Sequence, residues 1–211
     1  RLRVDDYFAR SARPEPNVAQ WLDLVALGTV ADVVALDQNN RILVDQGLRR
    51  IRAGKCRPGI SALLRAGRRD PRRCVASDLG FAAGPRLNAA GRLTDMRTGI
   101  ECLLSDDAKQ CARLADQLDA LNRERRDIEA DMQREALASM QGVLDGIDEL
   151  PFGVCLFEES WHQGVVGIVA SRVRERVHRP VIAFARESAD QLKGSARSIP
   201  GLHIRDALDA V

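Results

Sequence analysis

Three places in this sequence combine residue types that can handle a metal ion or a charged ligand. The first is Asp32, inside the apolar run VALGTVADVVAL. A carboxylate is costly to bury alone, so this one needs a helix-capping job, an arginine partner or a metal ion. Spacing leaves the structural roles and metal ligation equally open. One carboxylate does not make a metal site, because Mg2+ and Mn2+ take a full octahedral set of oxygen or nitrogen donors. The sequence offers no convincing second cluster, and His162, His178 and His203 are scattered.

The second place is the run PRLNAAGR. Arg86 and Arg92 flank Asn88 among small residues, which let a backbone approach a ligand closely and suit a phosphodiester. A tightly packed turn with its arginines pointing outward has the same composition. The third is GSARS, where Ser195, Ser198, the Arg197 guanidinium and backbone N–H groups together make a phosphate-binding set. The segment HQGVVG, from His162 to Gly167, resembles a Gly-rich phosphate turn only superficially. It is neither a P-loop nor GxGxxG, and close packing of a helix on a strand explains Gly164 and Gly167 equally well.

The elements that must position these residues follow from pattern. Val18 to Leu36 is strongly apolar and predicts one buried helix; Asn39 to Ala53 predicts an amphipathic one, and Ile60 to Ala66 a short third. Gly67 to Cys74 (GRRDPRRC) is a basic loop of the kind that is mostly solvated. Ser105-Asp106-Asp107 is a plausible helix start. From there to Leu144, apolar residues at Cys111, Leu114, Leu118, Leu121, Ile128, Met132, Leu137, Met140 and Leu144 predict one helix, roughly 55 Å long. Arg125 interrupts its seam, which favours a strut over a dimeric zipper. After a turn at 145–151, Phe152 to Phe157 and Val181 to Ala185 read as buried strands around a helix at Gly164 to Val177. Leu192 to Ser198 is a third strand, so a small mixed or parallel α/β sheet is expected.

Composition narrows the classes further. The 211 residues suffice for one or two domains, and 45% hydrophobic with 29% charged is ordinary for a globular chain. The net charge of +2 excludes a polybasic tail. Within that balance, Lys55, Lys109 and Lys193 are the only lysines, so 29 of the 32 cationic side chains are arginine. Codon composition accounts for most of this; the functional alternative is bidentate phosphate recognition by guanidinium. The five cysteines are spread out and never form CxxC, which argues against a disulfide framework or zinc site and suits a reducing cytoplasm. No apolar run is long enough to span a bilayer, and Arg1 to Arg13 does not read as a signal peptide. The chain starts with Arg and ends in the amphipathic run Leu202 to Val211, so we read it as cut from something longer.

Taken in order, LDLVALGTVADVVAL, NRILVDQGLRRI, GPRLNAAGRL, SWHQGVVGIVASR and KGSARS closely resemble the RecJ family of bacterial single-strand-specific 5′→3′ exonucleases, within the DHH phosphoesterase superfamily. The resemblance runs from Trp21 to Arg197. Ala35 and Gln163 stand where that family commonly has proline. The resemblance implies an α/β fold of two lobes: residues 1–105 as the mainly helical C-terminal part of a DHH catalytic domain, 106–145 as a long connector helix, and 146–211 as the N-terminal part of a DHHA1 sheet domain. It implies that Asp32 is the last metal-ligating acid of the DHH domain. It places Arg86, Asn88 and Arg92 in the catalytic groove, with Arg86 and Arg92 also contacting nucleic acid. Ser195 and Arg197 match the DNA-contacting motif of DHHA1.

The implied chemistry is phosphodiester hydrolysis assisted by two Mn2+ or Mg2+ ions, on single-stranded DNA, in repair and recombination. Single-strand-binding protein and recombination or mismatch-repair factors are the partners the family implies. The upstream Asp-His-His triplet, a downstream Gly-Gly-His segment and a later OB-fold domain are absent from this sequence. The expectation is therefore an internal segment that holds part of an active site and is inactive alone. Two rival readings are a phosphodiesterase acting on cyclic dinucleotides or short oligonucleotides, and a non-catalytic single-strand-binding module. PRLNAAGR, and GSARS where the small phosphodiesterases carry Gly-Gly-Gly-His, weigh against the first.

Overall fold

The computed structural model describes residues 16–144 and 151–211, together with Phe8 and Pro14. Apart from Phe8 and Pro151, the N-terminal stretch 1–13 and the turn expected at 145–151 lie outside the described residues. The chain divides into two compact units. One comprises Arg1–Leu87 and Met96–Asp119, the other Asn88–Asp95 and Ala120–Val211. No helix among the described residues is long and apolar enough to cross a membrane.

The first unit is helical. Helix α1 (Leu22–Ala31) follows a 3-10 turn at Val18–Trp21, and α2 (Gln38–Arg52) starts where the Asp37 carboxylate accepts the Asn40 N–H at 2.8 Å. Arg49, Arg50 and Arg52 in the last turn of α2 suit the negative end of its dipole, and Val44, Leu48 and Ile51 are buried. Helix α3 (Pro58–Ala66) opens on proline, whose missing N–H costs nothing in a first turn, and buries Ile60, Leu63 and Leu64.

Two segments of this unit differ from expectation. The run Val18 to Leu36 is not one buried helix: it ends at Ala31, and Val33, Val34 and Leu36 are exposed. The break is Val33 itself, at φ +55°, a left-handed conformation that a β-branched residue adopts only under strain. PRLNAAGR is helical rather than a tightly packed turn. A π-helical turn at Leu79–Ala83 runs straight into α4 (Gly84–Leu93). Pro85 sits in the first turn of α4, and Leu87, Ala89 and Ala90 are buried. The small residues serve packing rather than openness.

Helix α5 (Arg97–Leu104) leads to α6 (Ala108–Leu144), one continuous helix of 37 residues. At its start Asp107 accepts the Lys109 N–H at 2.8 Å while Ser105 Oγ accepts that of Asp107 at 3.2 Å, so the cap is Asp107 with Ser105 supporting it. The two units part within this helix, between Asp119 and Ala120. The interruption of its apolar seam is a polar network. Asn122 is 3% exposed, and Arg125 pairs with Glu129 at 2.6 Å and reaches Asn122 at 3.4 Å.

The second unit holds a three-stranded mixed sheet. Strand β1 (Val154–Phe157) is connected through α7 (Val166–Val177) to β2 (Val181–Arg186), which pairs parallel to it. Strand β3 (Leu192–Arg197) pairs antiparallel to β2, giving the order β1-β2-β3. A short helix, α8 (Ile204–Asp209), follows. Val169, Ala170, Val173 and Val177 of α7 are buried in one core with Val154 of β1 and Val181, Ala183 and Ala185 of β2. Met132 and Ala136 of α6 and Trp161 join that core, and the Trp161 indole N–H donates to Glu135 at 2.9 Å.

Candidate nucleic-acid interface

Strand and helix periodicity assemble a cluster of arginine and hydroxyl groups in the second unit. In the antiparallel register, Arg197 faces Val181 and Ser195 faces Ala183. Directly opposed residues share a face, so Ser195 and Arg197 lie on the face where β2 buries Val181, Ala183 and Ala185 against α7. On α7, Gly167, Ser171 and Arg174 recur at i, i+4 and i+7, one stripe of the helix.

Arg197 is fixed by three hydrogen bonds. Its Nε donates to Ser171 Oγ at 2.6 Å, and its Nη1 donates to Ser195 Oγ at 2.9 Å and to the Ala196 carbonyl at 2.8 Å. The Ser171 hydroxyl donates in turn to the Gly167 carbonyl at 3.0 Å. Among the described residues, Nη2 makes no hydrogen bond. A Cβ at Gly167 would stand 2.8 Å from that Nη2 and 3.0 Å from Ser195 Oγ, so only glycine admits the guanidinium beside the first turn of α7. Burial, then the neighbouring positive charges of Arg92 and Arg174, hold Arg197 below the usual arginine pKa.

Arg92 reaches this cluster from the last turn of α4, donating through Nη1 to the Gly164 carbonyl at 3.1 Å. Gly164 admits the contact because it carries no side chain: a Cβ there would fall 2.1 Å from the Arg92 carbonyl oxygen. The Gly164 N–H donates to His162 Nδ1 at 3.1 Å, which leaves the proton of a neutral His162 on Nε2. Among the described residues neither Arg92 nor Arg197 forms an ion pair with a carboxylate. Arg174 has a carboxylate neighbour, Glu175 at 3.7 Å, so the cluster keeps a local excess of positive charge at Arg92 and Arg197, an arrangement that can take an anion.

The other candidate residues stand elsewhere. Asn88 is exposed on α4 in the second unit. Arg86, in the first unit, is turned inward. It pairs with Asp119 at 2.6 Å and donates to the Ala82 and Ala66 carbonyls at 2.7 and 3.3 Å, with its side chain 14% exposed. That geometry ties α4 to α3 and α6 and leaves little of Arg86 for a ligand.

Asp32, also in the first unit, is the exposed C-cap of α1. A carboxylate at the negative end of a helix is disfavoured unless a cation joins it. Val33 beside it carries the strained backbone, a feature that gathers at ligand sites. Asp32 thus suits one position in a cation site, yet the described residues contain no group of three or more His, Cys, Asp or Glu that could hold a metal. They do not by themselves fit an Mg2+ or Mn2+ centre.

Sequence reasoning passed over Ser171 and Arg174, and it left Gly167 between a superficial phosphate turn and helix packing. The available signal was helical spacing: all three share the stripe of α7 that faces the alternate residues of β3. Asp119, the partner of Arg86, carried no local signal, since 33 residues separate the two.

The chain is also similar to known proteins. Residues 150–211 match the DHHA1 domain family. The chain is 62% identical over 208 residues to the single-stranded-DNA-specific exonuclease RecJ of Dickeya dadantii, and 58% identical over 208 residues to that of Escherichia coli. Each alignment covers 99% of this chain and 36% of the relative, so the chain spans about a third of the length of these proteins. Among solved structures, Thermus thermophilus RecJ in complex with Mg2+ superposes with a TM-score of 0.78 and 33% identity, covering 96% of this chain and 30% of that one. A manganese-bound exonuclease RecJ gives a TM-score of 0.76 and 34% identity, covering 96% and 48%. Over nearly its whole length, in sequence and in fold, this chain matches a segment of the RecJ exonucleases.

Proposed function

We propose that this chain is part of a metal-dependent 5′→3′ exonuclease specific for single-stranded DNA, and that its own residues chiefly supply the grip on the DNA backbone. The observation that carries the reading is the cluster of Arg92 and Arg174 near Arg197, itself bonded to Ser195, with no carboxylate paired to Arg92 or Arg197 among the described residues. A backbone phosphate would accept from the two free N–H groups of Arg197 Nη2, from the Ser195 hydroxyl and from Arg92. Such contacts fix register and leave bases unread, as a nuclease without sequence preference requires.

Asp32 is assigned to the cation site as one ligand, with the remaining donors coming from the parts of the longer protein that this chain does not span. A divalent ion bound there would supply Lewis-acid stabilisation and an activated water. Because the donor set here is incomplete, the 211 residues alone bind single strands without cutting them. Work in DNA repair and recombination, with single-strand-binding protein and repair factors as partners, is proposed on the family likeness alone.

The test is Mn2+-dependent degradation of a 5′-labelled single-stranded oligonucleotide. In the full-length protein, Asp32→Ala is expected to abolish turnover while leaving single-strand binding intact; equal loss of both would make Asp32 structural. Clear degradation by the 211-residue chain would overturn the incomplete-site reading.

A further inference from the structure

We propose that Ser171 is the positioning residue of the phosphate grip: it sets the direction in which Arg197 presents its two unspent donors. The inference rests on the phosphate-binding reading above and deepens it. A guanidinium has five N–H donors in a rigid plane, so fixing three of them fixes where the other two point. In this site Nη1 spends both of its hydrogens, on Ser195 Oγ and the Ala196 carbonyl, which lie on the same strand as Arg197. Those two bonds hold one end of the plane. The third, from Nε to Ser171 Oγ at 2.6 Å, comes from a different element and sets the plane's rotation against α7.

Ser171 can do this because its own hydroxyl is oriented. It donates to the Gly167 carbonyl one turn earlier at 3.0 Å, which points an oxygen lone pair rather than a hydrogen at Nε. An alanine at 171 removes the acceptor and leaves Nε without a partner. The bare Cα of Gly167 completes the arrangement, since a methyl group there would meet Nη2 at 2.8 Å. The relay from the Gly167 carbonyl through Ser171 to Arg197 therefore holds Nη2 beside Gly167, in the first turn of α7. Arg174, one turn beyond Ser171, hydrogen-bonds the Ser198 carbonyl at 3.5 Å and supplies charge rather than direction.

The experiment measures affinity of the full-length protein for single-stranded oligothymidylate at fixed salt. Arg197→Ala is expected to weaken binding about tenfold or more, as the loss of a charge-assisted contact does. Ser171→Ala is expected to weaken it about fivefold, and Ser171→Thr, which keeps the hydroxyl, to stay within about twofold of the parent. The decisive comparison is a double-mutant cycle: with Arg197 already alanine, Ser171→Ala should have no further effect. Gly167→Ala should reproduce the loss in the parent and likewise add nothing to Arg197→Ala.

Normal binding by Ser171→Ala alongside weak binding by Arg197→Ala would overturn the positioning role and leave the phosphate reading standing. An equal loss from Ser171→Ala with and without Arg197 would also overturn it, as the signature of a purely structural serine. Normal binding by Arg197→Ala would overturn the phosphate reading itself.

Discussion

Arg86 and Arg92 stand in one short run and look interchangeable in sequence, yet the structure turns Arg86 into an ion pair and leaves Arg92 exposed, which makes their substitution informative. Removing Arg86 breaks a pair with Asp119 at 2.6 Å and two hydrogen bonds to the Ala82 and Ala66 carbonyls. Breaking a fully buried pair costs about 3–5 kcal/mol, much of it from the charge left behind. Arg86 and Asp119 keep 14% and 19% of their side-chain exposure, so water screens part of that penalty and about 2–3 kcal/mol is the appropriate scale. For a chain of this size each kcal/mol moves the midpoint by about 2–4 °C, so Arg86→Ala should lower Tm by about 5–10 °C. Removing Arg92 forfeits one hydrogen bond to a carbonyl at an exposed position, a change of about 0.5 kcal/mol or less. Arg92→Ala should keep Tm within about 2 °C and weaken single-strand binding about tenfold. Thermal melts and oligonucleotide binding on the same two preparations decide the matter. Arg86→Ala with parental Tm and lost binding, or Arg92→Ala with a large fall in Tm, would refute the division of labour.

Two further outcomes follow from the first unit. Asp23 is fully buried and accepts the Arg57 N–H at 2.7 Å, capping α3 from another element, and the Leu24 N–H at 2.9 Å; Asp23→Ala should cost about 2 kcal/mol in denaturant unfolding, and an unchanged midpoint would deny it that role. Burial pushes the Cys74 and Cys102 thiols up to about 11, so folding stability from these groups is fully present below the unfolded thiol pKa and is lost as pH rises from about 9 toward 11. Stability measured from pH 8 to 11 should fall less steeply in Cys74→Ala than in the parent; parallel curves would contradict this.

Much of the architecture was legible because it is periodic. The intervals from Cys111 to Leu144 marked α6, and the short continuous apolar run VIAFA marked β2 as a buried strand. The end of α1 was not legible. Nothing in VADVVAL forbids a further helical turn, and the break depends on Val33 taking a strained conformation that local propensity opposes. PRLNAAGR misled for the converse reason: glycine and proline usually punctuate, but Pro85 falls in a first turn where it is harmless. In the candidate site, GSARS pointed to Ser195 and Arg197, which the structure joins by a hydrogen bond, because hydroxyl, guanidinium and strand spacing are all written locally. Ser171 was hidden, since its role arises only from the packing of α7 on β3.

The central claim is that Arg92 and Arg197 neutralise backbone phosphates of a single strand. The salt dependence of oligothymidylate binding tests it most directly, because each phosphate neutralised on a single strand adds about −0.7 to the slope of log K against log salt. In the full-length protein, changing both arginines to alanine should make that slope shallower by about 1.4 while the fold is kept. An unchanged slope would contradict the account.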